Sequence, residues 1–112
     1  MAEPSTLLGL IMGECPGLEV QLRDVGKCLV VGLSRPQQTV WLALDHKPAP
    51  TTVEHALTCL ANMMACCLNC ADDCLYHCRN ERRVMARRLR NLLGEPGFQR
   101  FVENAPIIAG GR

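Results

Sequence analysis

The stretch "LEVQLRDVGKCLVVGLSRPQQTVWLALDH" (residues 18–46) decides the fold. Apolar and polar residues alternate over 18–25 and again over 39–46, and a period of two predicts strands with one buried side and one solvent-facing side. Between them, residues 28–34 form a nearly continuous apolar run, which is typical of a more buried strand. Gly26 and Pro36 mark short connections, and short connections favour an antiparallel meander.

The segments on either side of the meander are less regular. Residues 7–14 fit either a strand or a short helix capped by Ser5, and Gly9 and Gly13 favour the strand because glycine weakens a helix. Residues 47–52 carry two prolines, which interrupt regular structure, so this segment is predicted to be a linker.

A single long helix is predicted over residues 53–93. Thr51 followed by Glu54 is a capping box, the signature of a helix start. Gly94 and Pro96 mark the end, and no glycine or proline lies between. Such a helix would be about 60 Å long at about 1.5 Å per residue.

The sequence therefore predicts an α+β fold. A small antiparallel β-meander of three or four strands is followed by one long Cys-rich amphipathic helix and a short C-terminal helix that packs Phe98, Phe101 and Val102. The length of 112 residues fits a single domain. Its expected parts are a sheet in 1–46, a linker in 47–52, the long helix in 53–93 and a tail in 94–112.

Composition excludes several classes of protein. Aromatic residues make up 4% of the chain, too few for a stacking platform that binds single-stranded nucleic acid. The longest nearly apolar stretch, 56–71, is shorter than the roughly 20 residues of a membrane span. The N-terminal segment lacks the basic start of a signal peptide. We expect an intracellular protein, cytoplasmic or nuclear, in which the eight cysteines stay reduced.

Six of the eight cysteines lie between Cys59 and Cys78, on the apolar face of the predicted helix. A free cysteine behaves as a small buried hydrophobe, so this face is predicted to pack against something. Strands of this length cover about 20–25 Å, so most of the face would lack a partner within the chain. The predicted partner-binding residues are Leu57, Leu60, Met64, Cys67, Ala71, Cys74, Met85 and Leu89.

A metal site is the alternative interpretation of the same cysteines. Thiolates and imidazoles are the ligands that zinc and copper prefer. One helix rarely supplies all four ligands of a zinc ion, so we expect no cofactor, with zinc or copper as the alternative. The candidate ligands are Cys67, Cys70, Cys74, His77 and Cys78.

Arginines dominate the end of the predicted helix. Six arginines and one acid, Glu81, lie between Arg79 and Arg90. A basic stripe on one helix face is typical of a surface that binds nucleic acid or an acidic protein. Its alternative is a solvated face near a helix C-terminus, where positive charge is favourable. The candidate anion-binding residues are Arg79, Arg83, Arg87 and Arg90.

These patterns give three hypotheses, and none of them includes a catalytic residue. The first is a non-enzymatic assembly or adaptor module that self-associates as a homo-oligomer, or binds a protein partner, through the long helix. The second is a Cys-rich regulatory protein that binds zinc or copper. The third is an RNA- or DNA-binding accessory protein that uses the arginine stripe.

Overall fold

The described residues form a three-stranded sheet and four helices. The computed structural model describes residues 6–44, 52–65 and 80–105. The elements in chain order are α1 (Leu7–Glu14), β1 (Glu19–Asp24), β2 (Leu29–Arg35), β3 (Gln38–Ala43), α2 (Val53–Met63), α3 (Asn80–Leu93) and α4 (Glu95–Glu103). The strands are antiparallel, and the predicted α+β class is confirmed.

The sheet is the meander that the alternating pattern predicts. Its strand order is β1-β2-β3. Val31 on the central strand pairs with Leu22 on β1 and with Leu42 on β3. Both Val31 and Leu42 are fully buried, so this side of the sheet faces the core. The opposite side carries the polar residues of the alternation.

Helix α2 packs against two other helices and the sheet. It contacts α1, α4 and β1, while α3 contacts β3 and α4. Ala56, Leu57, Leu60 and Ala61 are all fully buried, which means that α2 is covered on more than one side. A helix that is apolar around most of its circumference is typical of a core position.

The segment 7–14 is a helix, so the predicted strand is wrong. Thr6 caps α1 by accepting a hydrogen bond from the backbone N–H of Gly9, at 3.0 Å. Leu7 and Ile11, one helical turn apart, are buried in the core. This packing offsets the cost of the two glycines, because helices in proteins gain most of their stability from tertiary contacts.

The predicted continuous helix over 53–93 is also wrong. Helix α2 ends at Met63, and the backbone N–H of Met64 bonds back to the carbonyl of Leu60. The longest dimension of the chain is 40 Å, less than the predicted helix would need. The start differs by one residue, since Thr52 rather than Thr51 caps α2. Residues 45–51, which hold most of the predicted linker, and 66–79 lie outside the described residues.

The predicted end of α3 is confirmed. Gly94 follows the helix with a φ of 80°, a left-handed conformation that favours glycine, and its N–H bonds to the carbonyl of Arg90 at 2.7 Å. Helix α4 then buries Phe98 and Phe101, as the predicted C-terminal helix requires. Within the described ranges, no helix combines the length and the apolar character needed to cross a membrane.

Candidate functional site

Half of the predicted partner-binding residues lie in the core. Leu57, Leu60, Met64 and Leu89 are each 0% exposed, because other parts of the same chain cover them. The premise that their face lacks an intrachain partner is therefore wrong for these four residues. Met85 is half-buried against the core. Cys67, Ala71 and Cys74 lie outside the described residues.

The five candidate metal ligands fall within one segment, residues 67–78. Cys67, Cys70, Cys74, His77 and Cys78 all lie outside the described residues, so the metal site stays a prediction. Three cysteines are described, and all are free thiols: Cys15, Cys28 and Cys59. Burial raises the pKa of the Cys59 thiol, because the core disfavours the thiolate. Within 6–44, 52–65 and 80–105, no three His, Cys, Asp or Glu side chains form a group suited to a metal ion.

The predicted arginine stripe is divided by the structure. Arg79 lies outside the described residues. The Nε of Arg90 donates to a carboxylate oxygen of Glu95 at 2.8 Å, and its guanidinium lies 4.5 Å from the ring centre of Phe98. Arg90 therefore connects α3 to α4 and has a structural role.

The two remaining residues of the predicted stripe, Arg83 and Arg87, lie on α3 near Arg88, which was not part of the predicted stripe. Arg87 and Arg88 are exposed, and Arg83 is half-buried. Val84, at 37% exposure, lies one turn before Arg87 and Arg88 on the same helix face. We call Arg83, Val84, Arg87 and Arg88 the α3 stripe.

The solvent side of the sheet carries an exposed aromatic site. Each strand contributes one group to it: Arg23 from β1, Gly32 from β2 and Trp41 from β3. Gly32 and Trp41 are directly paired, and Gln21 completes the same row on β1. We call the solvent side around Trp41 the Trp41 face; its central residues are Gln21, Arg23, Val30, Gly32, Thr39 and Trp41.

The indole of Trp41 is held flat against the sheet. A Cβ atom built on Gly32 would lie 2.5 Å from Cζ3 of Trp41, so the ring occupies the space that any larger residue would need. The guanidinium carbon of Arg23 lies 4.6 Å from the ring centre, which is cation–π distance. Trp41 as a whole is still 36% exposed. The backbone of Gly32 and the side chain of Arg23 together fix an aromatic ring that remains accessible.

Two signals for this site are present in the sequence. The period-two pattern that buries Val40 and Leu42 also places Trp41 on the solvent side. A glycine inside a strand marks a position where another group approaches the backbone closely, as Trp41 approaches Gly32. What the sequence does not show is that Arg23 stacks on the ring.

No protein family, curated protein or solved structure matches this chain. The function is therefore inferred from the exposed surfaces of the chain itself. Two of them stand out among the described residues: the Trp41 face and the α3 stripe.

Proposed function

We propose that this protein is a non-enzymatic interaction module that binds a protein partner through the Trp41 face. The observation that supports the proposal is the position of Trp41, an accessible indole held in place on the solvent side of the sheet. The other side of the sheet builds the core of the chain.

Tryptophan and arginine are over-represented among the residues that contribute most to protein–protein binding. On the Trp41 face the two are already stacked, at 4.6 Å. A ring fixed before binding loses little conformational freedom when a partner covers it, which favours affinity. Trp41 and Val30 would supply the apolar centre of the contact, and Gln21 and Thr39 its polar rim.

A solvent-facing side of an antiparallel sheet normally carries polar residues. Trp41 is one of four large apolar side chains that stay exposed among the described residues, together with Met12, Val25 and Val84, and it is the one that lies on the sheet. Leu57, Leu60 and Leu89, which the sequence predicts as part of a binding face, are fully buried. They are therefore not accessible to a protein partner.

Affinity purification of the tagged protein from its native cells tests the proposal. Proteins that co-purify with the wild type should be lost with Trp41→Ala. They should be retained with Met12→Ala, a matched control that removes an exposed large apolar side chain from α1. Identical sets of bound proteins for all three forms would contradict the proposal.

The α3 stripe supports a second candidate function, binding of nucleic acid or of an acidic protein surface. The specific observation is the exposure of two adjacent arginines, Arg87 and Arg88, on the outer side of α3. Arginine suits phosphate groups because its planar fork donates two parallel hydrogen bonds. This candidate ranks second because Arg90, the last residue of the predicted stripe, is bound to Glu95 within the chain.

A further inference from the structure

Among the strands in the described part of the chain, β1 lies at the edge of the sheet, with a defined set of outward-facing backbone groups. The N–H of Val25 donates to the carbonyl of Cys28 at 3.2 Å, so these two residues form a hydrogen-bonded pair at the turn. Such pairs alternate along an antiparallel ladder, so Arg23, Gln21 and Glu19 also bond to β2. The backbone groups of the remaining residues, Val20, Leu22 and Asp24, then point away from the sheet.

The pairing of β2 with β3 leads to the same assignment of outward-facing backbone groups on β1. The N–H of Leu44 donates to the carbonyl of Leu29 at 2.9 Å, which assigns Leu29 and Val31 to the ladder with β3. The alternate residues of β2, Val30 and Gly32, then bond to Arg23 and Gln21 on β1. Both observations leave the same three residues of β1 with outward-facing groups.

Side chains on β1 suit an added strand. Val20 and Leu22 point to the core side yet are only half-buried, whereas their neighbours on β2 are fully covered. Glu19 and Arg23, on the solvent side, are exposed. An edge strand is a template for pairing with another strand, and within the described ranges no strand pairs with the outer edge of β1 at Val20 and Leu22. Both edge strands also contact a helix, β3 through α3 and β1 through α2, so the side chains and charges of β1 carry the argument.

We infer that β1 pairs antiparallel with β1 of a second copy of this chain, about a two-fold axis at Gln21. Glu19 then lies opposite the partner's Arg23, and Val20 lies opposite the partner's Leu22. Each contact occurs twice because the axis repeats it. The inference rests on the proposed function, an interaction module, and identifies one of its partners as a second copy of the same chain.

Charge complementarity selects this register. Residues whose backbone groups point outward must lie opposite residues of the partner whose backbone groups also point outward. The two-fold axis can therefore pass through a residue position of β1 but not between two positions. An axis at Leu22 places Val20 opposite the partner's Asp24, and an axis at Val20 removes the contact between Glu19 and Arg23. Only the axis at Gln21 brings opposite charges together on one side and apolar residues together on the other. Opposite-charge and apolar pairs across strands are both stabilising.

The resulting dimer has one continuous six-stranded sheet. The Trp41 faces of the two copies lie on the same side of that sheet, because strand pairing preserves the orientation of alternate side chains. Their combined surface would bind a larger or two-fold symmetric partner with higher avidity.

Charge reversal tests the pairing directly. Wild-type protein at high micromolar concentration should have twice the 12.3 kDa mass of one chain by light scattering. Glu19→Arg and Arg23→Glu should each weaken the dimer by about tenfold or more, because both cross-strand pairs become like-charged. The double variant should restore the dimer. Mixing the two single variants should also restore it, since each supplies the charge that the other lacks.

A monomeric wild type would overturn the inference, as would single variants that dimerise normally. A double variant that is folded by circular dichroism but stays monomeric would overturn it too. Arg23→Glu also removes the contact with Trp41, but the double variant removes it equally, so restoration isolates the pairing.

A cross-link gives a second measurement that does not depend on charge. Opposite residues of a non-hydrogen-bonded pair have Cα atoms about 4.5 Å apart, within reach of a disulfide. Mild oxidation of Gln21→Cys should therefore link position 21 to position 21 of the partner, identified by peptide mass. Thr39→Cys, exposed on the other edge strand, is the control. Linkage at 39 and none at 21 would overturn the inference.

The two proposals fail in different ways. If the wild type is monomeric, loss of other bound proteins with Trp41→Ala still supports the Trp41 face. If Trp41→Ala has no effect on bound proteins, a dimer restored by the double variant still supports pairing through β1.

Discussion

The carboxylate of Glu54 accepts a hydrogen bond from the backbone N–H of Leu7, with 2.7 Å between oxygen and nitrogen, across 47 residues of sequence. Its second oxygen accepts from the N–H of Leu8 at 3.1 Å. Glu54 lies in the first turn of α2, so a residue of one helix caps the start of another. The first N–H groups of a helix have no partner inside it, and a carboxylate there also interacts favourably with the helix dipole.

Replacing Glu54 should therefore destabilise α1. We expect Glu54→Ala to lower the free energy of unfolding by about 1–2 kcal/mol, because two N–H groups lose a charged acceptor. Urea denaturation measures the change. Glu103→Ala, at an exposed position near the end of α4, is the control and should change stability by less than about 0.5 kcal/mol. Equal effects of the two substitutions would show that Glu54 does not cap α1.

Gly32→Ala should displace Trp41 from the sheet, since the added Cβ would lie 2.5 Å from the ring. Trp41 is the single tryptophan of the chain, so its fluorescence reports on this site alone. We expect emission at longer wavelength, as the ring moves into water. Gly13→Ala is the matched control, because a Cβ there meets nothing within 4 Å. An unchanged spectrum for Gly32→Ala would contradict the described packing.

The control variant carries an expectation of its own. Gly13 lies near the end of α1 and is exposed, so alanine there should stabilise the helix by up to about 1 kcal/mol. Its emission spectrum should match that of the wild type. A loss of stability would indicate that α1 is less regular than described.

Much of the fold follows from local patterns, and the failures have non-local causes. Period-two alternation predicts β1 and β3, and Gly94 predicts the end of α3. The helix at 7–14 was missed because its cap, Glu54, comes from elsewhere in the chain. The end of α2 at Met63 carries no glycine or proline to mark it.

The candidate site was missed for a related reason. The sequence shows that Leu57 and Leu60 lie on an apolar helix face, but not what covers that face. Once the chain itself covers both residues, the apolar side chains that remain for a partner are those left exposed, Trp41 among them. The alternation around Trp41 predicts that its side chain lies on the solvent side of the sheet. It does not predict the stacking of Arg23 on the ring.

Stability should fall at alkaline pH through Cys59. Burial raises the pKa of this thiol above the ordinary value of 9.0. The unfolded chain therefore loses the proton at lower pH than the folded chain, and stability declines as pH rises from about 9 through the folded pKa. Cys59→Ala should make the decline shallower. Cys28→Ala, which keeps Cys59, should not, and an equal slope in all three proteins would contradict the assignment.

Substitutions at Arg90 and Arg87 should have different effects, the first on stability and the second on anion binding. Arg90→Gln removes the ion pair with Glu95 and the contact with Phe98, so we expect a loss of about 1 kcal/mol, limited by solvent screening of the exposed carboxylate. Arg87→Gln should change stability by less than about 0.5 kcal/mol. It should nevertheless lower the salt concentration that elutes the protein from heparin. If Arg87→Gln leaves elution unchanged, the α3 stripe is a solvated face.

Photo-crosslinking in native cells measures most directly whether the Trp41 face binds a protein. A photoreactive amino acid at Thr39, exposed beside Trp41 on β3, samples this face, and the same amino acid at Asn91, exposed on α3, samples the helical side. We predict adducts with a second protein at Thr39 that disappear with Trp41→Ala, and none at Asn91. Adducts at Asn91 alone, or adducts at Thr39 that survive Trp41→Ala, would contradict the proposed function.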